Sequence, residues 1–150
     1  FSSNGGVAFG ETGGPECMLI AGGKGMGVLD ITDRRAPKVK FTLNTGVISR
    51  DSGAKMAFAE KTRVLYVAGG KGLGIFALPS PHELLAGKRP ARIATVTTGA
   101  LATGNETALL FGDGDEGGGL LYVAGGNGLS VLDIAKLPGT ANEVAASMAV

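Results

Sequence analysis

The stretch Ala68-Gly69-Gly70-Lys71-Gly72-Leu73-Gly74 is written three times in this chain. An earlier copy reads Ala21-Gly22-Gly23-Lys24-Gly25-Met26-Gly27, and a later one Ala124-Gly125-Gly126-Asn127-Gly128-Leu129-Ser130. A chain that repeats itself at this spacing folds as repeated units. Each copy stands between two apolar runs: Met18-Leu19-Ile20 and Val28-Leu29-Asp30-Ile31, then Val64-Leu65-Tyr66-Val67 and Ile75-Phe76-Ala77-Leu78, then Leu120-Leu121-Tyr122-Val123 and Val131-Leu132-Asp133-Ile134. Short β-branched and aromatic runs joined by glycines predict one hairpin per unit.

The hairpin has company on both sides. Before it come Val7-Ala8-Phe9, Met56-Ala57-Phe58 and Ala108-Leu109-Leu110-Phe111, read as a first strand with small residues among the large. After it come Lys38-Val39-Lys40-Phe41-Thr42-Leu43, Arg92-Ile93-Ala94-Thr95-Val96-Thr97 and, more loosely, Glu143-Val144-Ala145-Ala146-Ser147-Met148. Alternation in this fourth strand predicts a half-exposed outer position, whereas the hairpin strands, apolar on both faces, are expected to lie between neighbouring sheets. The extra length of the later units falls between Ala77 and Pro90 and around Gly112–Gly119, in connections. Within the first of these, Ser80-Pro81-His82-Glu83 supplies a cap, a proline at the first helical position and a glutamate at the third, and predicts one or two helical turns that stop at Gly87.

Composition agrees with many short strands and tight turns. Glycine supplies 27 of the 150 residues, far above the usual ~7%, with no collagen-like period. Lys and Arg number 14 against 13 acidic residues, so bulk charge gives no reason to expect nucleic acid or an anionic membrane. No apolar run approaches the ~20 residues of a membrane-spanning helix. The lone Cys17 excludes an internal disulfide and every multi-cysteine metal or haem pattern. The chain opens at Phe1 rather than a methionine and stops within its last repeat at Val150, which suggests a processed product or a piece of something longer.

Together these features predict an all-β chain: a β-propeller of three consecutive four-stranded blades, near residues 5–46, 47–99 and 100–150, forming an incomplete ring. The runner-up is a β-sandwich, which would put alternation in most strands rather than only the last of each unit. The pattern Leu-Tyr-Val-Ala-Gly-Gly-x-Gly-Leu-x-Val-Leu-Asp-Ile, followed by a proline-bearing turn and an outer strand, resembles the LVIVD repeat of bacterial and archaeal surface and secreted proteins. That resemblance implies propeller blades in an exported protein, at the cell surface, outside the cell or in the periplasm. It carries no common catalytic motif. The middle unit departs from it, with Ala77 where the others have Asp30 and Asp133.

Closed propellers use ~4 to 8 blades, so three need company. Either further blades of a longer chain or a second copy closing a six-bladed ring is expected to cover the end faces, which would otherwise expose more apolar surface than monomers tolerate.

Candidate chemistry is sparse. The glycine-lysine stretch fails as a phosphate loop, because glycine follows the lysine and a strand follows that, where a P-loop needs a hydroxyl residue and a helix. Lys24, Lys71 and Asn127 are nonetheless expected on one rim, as candidates for binding an anionic partner. Asp113, Asp115 and Glu116 alternate in a glycine-rich loop that offers oxygen ligands for Ca²⁺, against the plainer reading of a solvated turn. His82 is read as a surface helix residue, Cys17 as a small buried residue, and Tyr66 and Tyr122 as packing residues. Asn105-Glu106-Thr107 fits a glycosylation sequon. Two functions follow: a non-catalytic scaffold or protein-binding module, or part of a propeller enzyme whose channel site uses residues outside this chain.

Overall fold

A computed structural model describes residues 5–10, 14–22, 25–48, 53–101, 107–112 and 119–135. Among the described residues the chain is all-β, with one short helix, and the strands form three antiparallel sheets with no closed barrel. The first sheet runs β1 (Gly5–Gly10), β2 (Glu16–Gly22), β3 (Gly25–Asp30) and β4 (Lys38–Leu43) in sequence order. The second repeats that order with β5 (Lys55–Ala59), β6 (Val64–Gly69), β7 (Gly72–Ala77) and β8 (Ala91–Val96). In the third, β9 (Ala108–Phe111) pairs with β10 (Leu120–Gly125), which pairs with β11 (Gly128–Asp133). The segment expected to supply a fourth strand there, 143–148, lies outside the described residues.

Each glycine motif closes a hairpin at the same register, Gly22 opposite Gly25, Gly69 opposite Gly72 and Gly125 opposite Gly128. The third glycine of each motif sits at φ of 133°, 139° and 133° respectively, a region that side chains with a Cβ rarely adopt.

Two apolar seams hold the sheets together. In the first, Leu19, Ala21, Met26 and Val28 meet Leu65, Val67, Phe76 and Leu78, with Val47 and Ala54 from the connecting segment. In the second, Tyr66, Ala68, Leu73 and Ile75 meet Leu121, Val123, Leu132 and Ile134, with Leu101 from the next connection. Adjacent residues of β6 therefore serve opposite seams, and every residue of β6 is buried. By contrast β2 and β10 bury alternate residues, because among the described residues each outer sheet has one neighbouring sheet. At ~1.5–3 kcal/mol for each large aliphatic side chain fully withdrawn from water, these seams dominate the stability of the fold.

The fourth strands correct the simple alternation expected of them. The ladder slips between Val28 and Leu29 in the first sheet and at the equivalent Ile75 and Phe76 in the second. Lys40 and Ile93 are the extra residues. Such a bulge reverses which side chains share a face. Phe41 and Leu43 consequently lie with the seam residues Val28 and Met26, while Val39 turns to the opposite face beside Leu29 and is 67% exposed.

The short helix α1 (Pro81–Leu85) forms as its sequence predicts. Ser80 Oγ accepts from the Glu83 N–H and the Glu83 carboxylate accepts from the Ser80 N–H. Although it follows the second sheet, α1 leans back on β2 of the first, where the Cys17 thiol donates to the Pro81 carbonyl and Leu84 is fully buried.

The first glycine of the second and third motifs, Gly69 and Gly125, is required by something other than the turn. A Cβ on Gly69 would stand 2.5 Å from the Val47 carbonyl oxygen and 2.8 Å from Ile48 Cα, both backbone of the incoming connection. Gly69→Ala is therefore expected to lower unfolding free energy by ~1–3 kcal/mol through overpacking. Gly99→Ala, with nothing within 4 Å of its Cβ, should leave stability unchanged or raise it by up to ~1 kcal/mol. Denaturant midpoints of the two variants check this, and equal losses would contradict it.

Candidate functional site

The repeat gives every sheet two unlike faces. The forward face carries the positions of Leu19, Ala21, Met26 and Val28, which in the second sheet are Tyr66, Ala68, Leu73 and Ile75. The rear face carries Met18, Ile20, Gly27 and Leu29, which in the second sheet are Leu65, Val67, Gly74 and Phe76. Each seam joins a forward face to the rear face of the next sheet.

The connection between sheets is part of that seam. After β4 the chain turns at Gly46, whose N–H donates to the Asn44 side chain at 2.9 Å, and crosses to the next hairpin, where the Val47 carbonyl accepts from the Lys71 N–H at 3.0 Å. The connection after β8 does the same, with the Ala100 carbonyl accepting from the Asn127 N–H at 3.0 Å. Arg92, on the rear face of β8, clasps the first connection by donating to the carbonyls of Asn44 and Thr45, and its guanidinium lies 5.6 Å from the Phe76 ring centre. A cation over an aromatic face adds to the hold.

Thr45 and Thr98, equivalent residues of the two connections, are buried, and their hydroxyls find no partner among the described residues. The repetition of Thr-Gly at 45–46 and 98–99 was the available sequence signal, but nothing in it distinguishes a buried threonine from an exposed one.

Lys71 and Asn127 occupy equivalent exposed hairpin tips on successive sheets, each held by its backbone to the preceding connection. Lys24, Asp113, Asp115, Glu116 and Asn105 lie outside the described residues. His82 is exposed on α1. Cys17 is fully buried, and burial, with Asp30 nearby, pushes its thiol up to about 11, so it stays protonated and unreactive near neutral pH. Tyr66 is buried with its ring edge-on to Phe111, and burial drives its hydroxyl pKa upward; Tyr122 is half-buried on the open side of the third sheet. Among the described residues no three His, Cys, Asp or Glu side chains gather as a metal site, and no helix is long and apolar enough to cross a membrane.

What the arrangement offers instead, among the described residues, is two apolar sheet faces on which no other described sheet packs. On the rear of the first sheet, Ile20 is 37% exposed and Val39 more so, around a depression of about 610 Å³ floored by Gly22 and Gly27. On the forward side of the third, Leu110 is 68% and Leu129 61% exposed, with Leu120 beside them. Against known protein families, curated proteins and solved structures, the chain matches none.

The orphaned hydroxyls yield a test of the connections. A buried hydroxyl without a partner costs ~1–3 kcal/mol, so Thr45→Val and Thr98→Val, which keep the shape, are expected to raise stability by ~1 kcal/mol each. Loss of stability in both, measured by denaturant unfolding, would show that the hydroxyls are satisfied by bound water.

Proposed function

We propose that the three sheets are consecutive blades of a β-propeller, and that the chain is a non-catalytic module, a scaffold or protein-binding component of a larger assembly. The observation that carries this reading is the second sheet, covered on both faces by sheets of the same build while the outer sheets each leave one apolar face open. Stacking of this kind, without end, is how blades pack around an axis. The neighbouring sheets also come closest at their first strands, β1 to β5 and β5 to β9, which suits strands converging on a narrow centre.

A sandwich is disfavoured for the same reason, since two facing layers leave every sheet a solvent side. Exposed large apolar side chains grouped on one sheet face, as Ile20 with Val39 and Leu110 with Leu129, suit association rather than display to water. The likeness to LVIVD repeats supports placement at the cell surface or outside the cell, where such a module would hold partners by its rims and end faces. An anionic partner at Lys71 and its repeat equivalents, and calcium at Asp113, Asp115 and Glu116, belong to this proposal as secondary features.

Elemental analysis of the purified protein tests the non-catalytic reading. It is expected to find no redox metal in stoichiometric amount. One redox-active metal per chain, retained through dialysis, would contradict the reading and favour a channel enzyme.

A further inference from the structure

We propose that the open rear face of the first sheet receives the open forward face of the third sheet of a second copy, so that two copies of this chain pair head to tail. The inference rests on the blade reading above, and it commits the uncovered faces to one occupant.

The molecule is its own template for this contact. Twice within the chain a forward face packs on a rear face, first Leu19, Ala21, Met26 and Val28 on Leu65, Val67 and Phe76, then Tyr66, Ala68, Leu73 and Ile75 on Leu121, Val123 and Leu132. The two faces left over are one of each kind. No described sheet packs on the face of the first sheet that carries Ile20, Gly27 and Leu29, or on the face of the third that carries Tyr122, Leu129 and Val131; Ile20 and Leu129 are exposed and the others half-buried. Rear-on-rear or forward-on-forward pairing has no precedent in the fold, whereas forward-on-rear has two.

The depression on the rear face tells what kind of group it seats. On the second sheet the equivalent of Gly27 is Gly74, whose Cβ position meets the Phe76 ring of its own sheet at 2.8 Å and Val47 Cγ2 of the connection at 3.5 Å, and the equivalent of Gly22 is Gly69, crossed by the Val47 carbonyl. The glycines of a rear face are thus a floor on which an aliphatic connection from the preceding sheet lies. On the first sheet that floor is the depression of about 610 Å³ lined by Ile20, Gly22, Gly27, Leu29 and Val39.

Head-to-tail contacts made in both directions close on themselves. Two copies then share two identical interfaces related by a two-fold axis, with six sheets in the ring, inside the ~4 to 8 that propellers use. A closed pair leaves neither apolar end exposed, so assembly stops there.

Complementation between two surface variants tests this in a way that ordinary dimerisation cannot imitate. Val39→Asp spoils the rear face and Leu129→Asp the forward face, at positions exposed enough for the single chain to keep its sheets, which circular dichroism of each variant verifies. The wild-type chain is expected to sediment at twice its 15.0 kDa, and each variant alone as the single chain. An equimolar mixture is expected to regain pairs, because one interface between unlike variants is wholly native. A monomeric wild type, a Leu129→Asp chain that still pairs, or a folded mixture that stays single would each overturn the proposal. The stacking on which this rests is tested within a single chain, by truncating Leu65 and Tyr66 on the two faces of β6, and that outcome does not depend on pairing, so the two fail separately.

Discussion

Burial of β6 on both of its faces is the constraint from which the rest of this structure follows. Leu65 and Tyr66 are neighbours in sequence and point in opposite directions, yet neither meets water. A strand of that composition is stable only between two covering layers. The first and third sheets are those layers, and each, built from the same repeat, carries apolar residues such as Ile20 and Leu129 on the side where no described sheet stands.

The glycine motif is where this packing becomes geometry. Its third glycine satisfies a backbone conformation at the hairpin, but its first answers to a neighbour: the connection that leaves one sheet presses its backbone across the turn of the next. Hairpin and connection therefore interlock, with the Val47 and Ala100 carbonyls satisfied by amides at the tips. Arg92 adds a polar clasp where the second sheet meets the connection from the first. In the first sheet the bulge puts Val39 in the corresponding place, and an apolar residue stands exposed where its repeat equivalent grips a preceding segment. Of two equivalent positions, one grips a neighbouring segment and the other is exposed, and this contrast underlies the proposal that the rear face takes part in a contact.

Much of this was legible in the sequence because it is local. The hairpins at Gly22–Gly25, Gly69–Gly72 and Gly125–Gly128, four strands in each of the first two units, and the Ser80–Glu83 capping box all depend on residues near one another in the chain. The two-faced burial of β6 was legible too, since an unbroken apolar run has no solvent side. The bulges at Lys40 and Ile93 were not, because a ladder slip is decided by the partner strand, and simple alternation placed Val39 on the wrong face. Nor could a glycine needed for a turn be told from one needed for a close approach, since both are written Gly. The burial of Thr45 and Thr98 and the lean of α1 against β2 depend on contacts between sheets that no local pattern encodes. Chemistry-bearing residues were legible as types only, and Lys24, Asp113, Asp115 and Glu116 fall outside the described residues.

The central claim is that the second sheet is held from both sides, and truncating two adjacent residues of β6 measures it. Leu65→Ala opens a cavity toward the first sheet and Tyr66→Ala one toward the third. Large-to-small substitutions in a packed interior cost ~2–5 kcal/mol, and the account predicts a loss of at least ~2 kcal/mol in the unfolding free energy of each variant. If either substitution changed stability by no more than the ~0.5 kcal/mol typical of a surface site, one face of that sheet would be open to water, and the stacked arrangement would be contradicted.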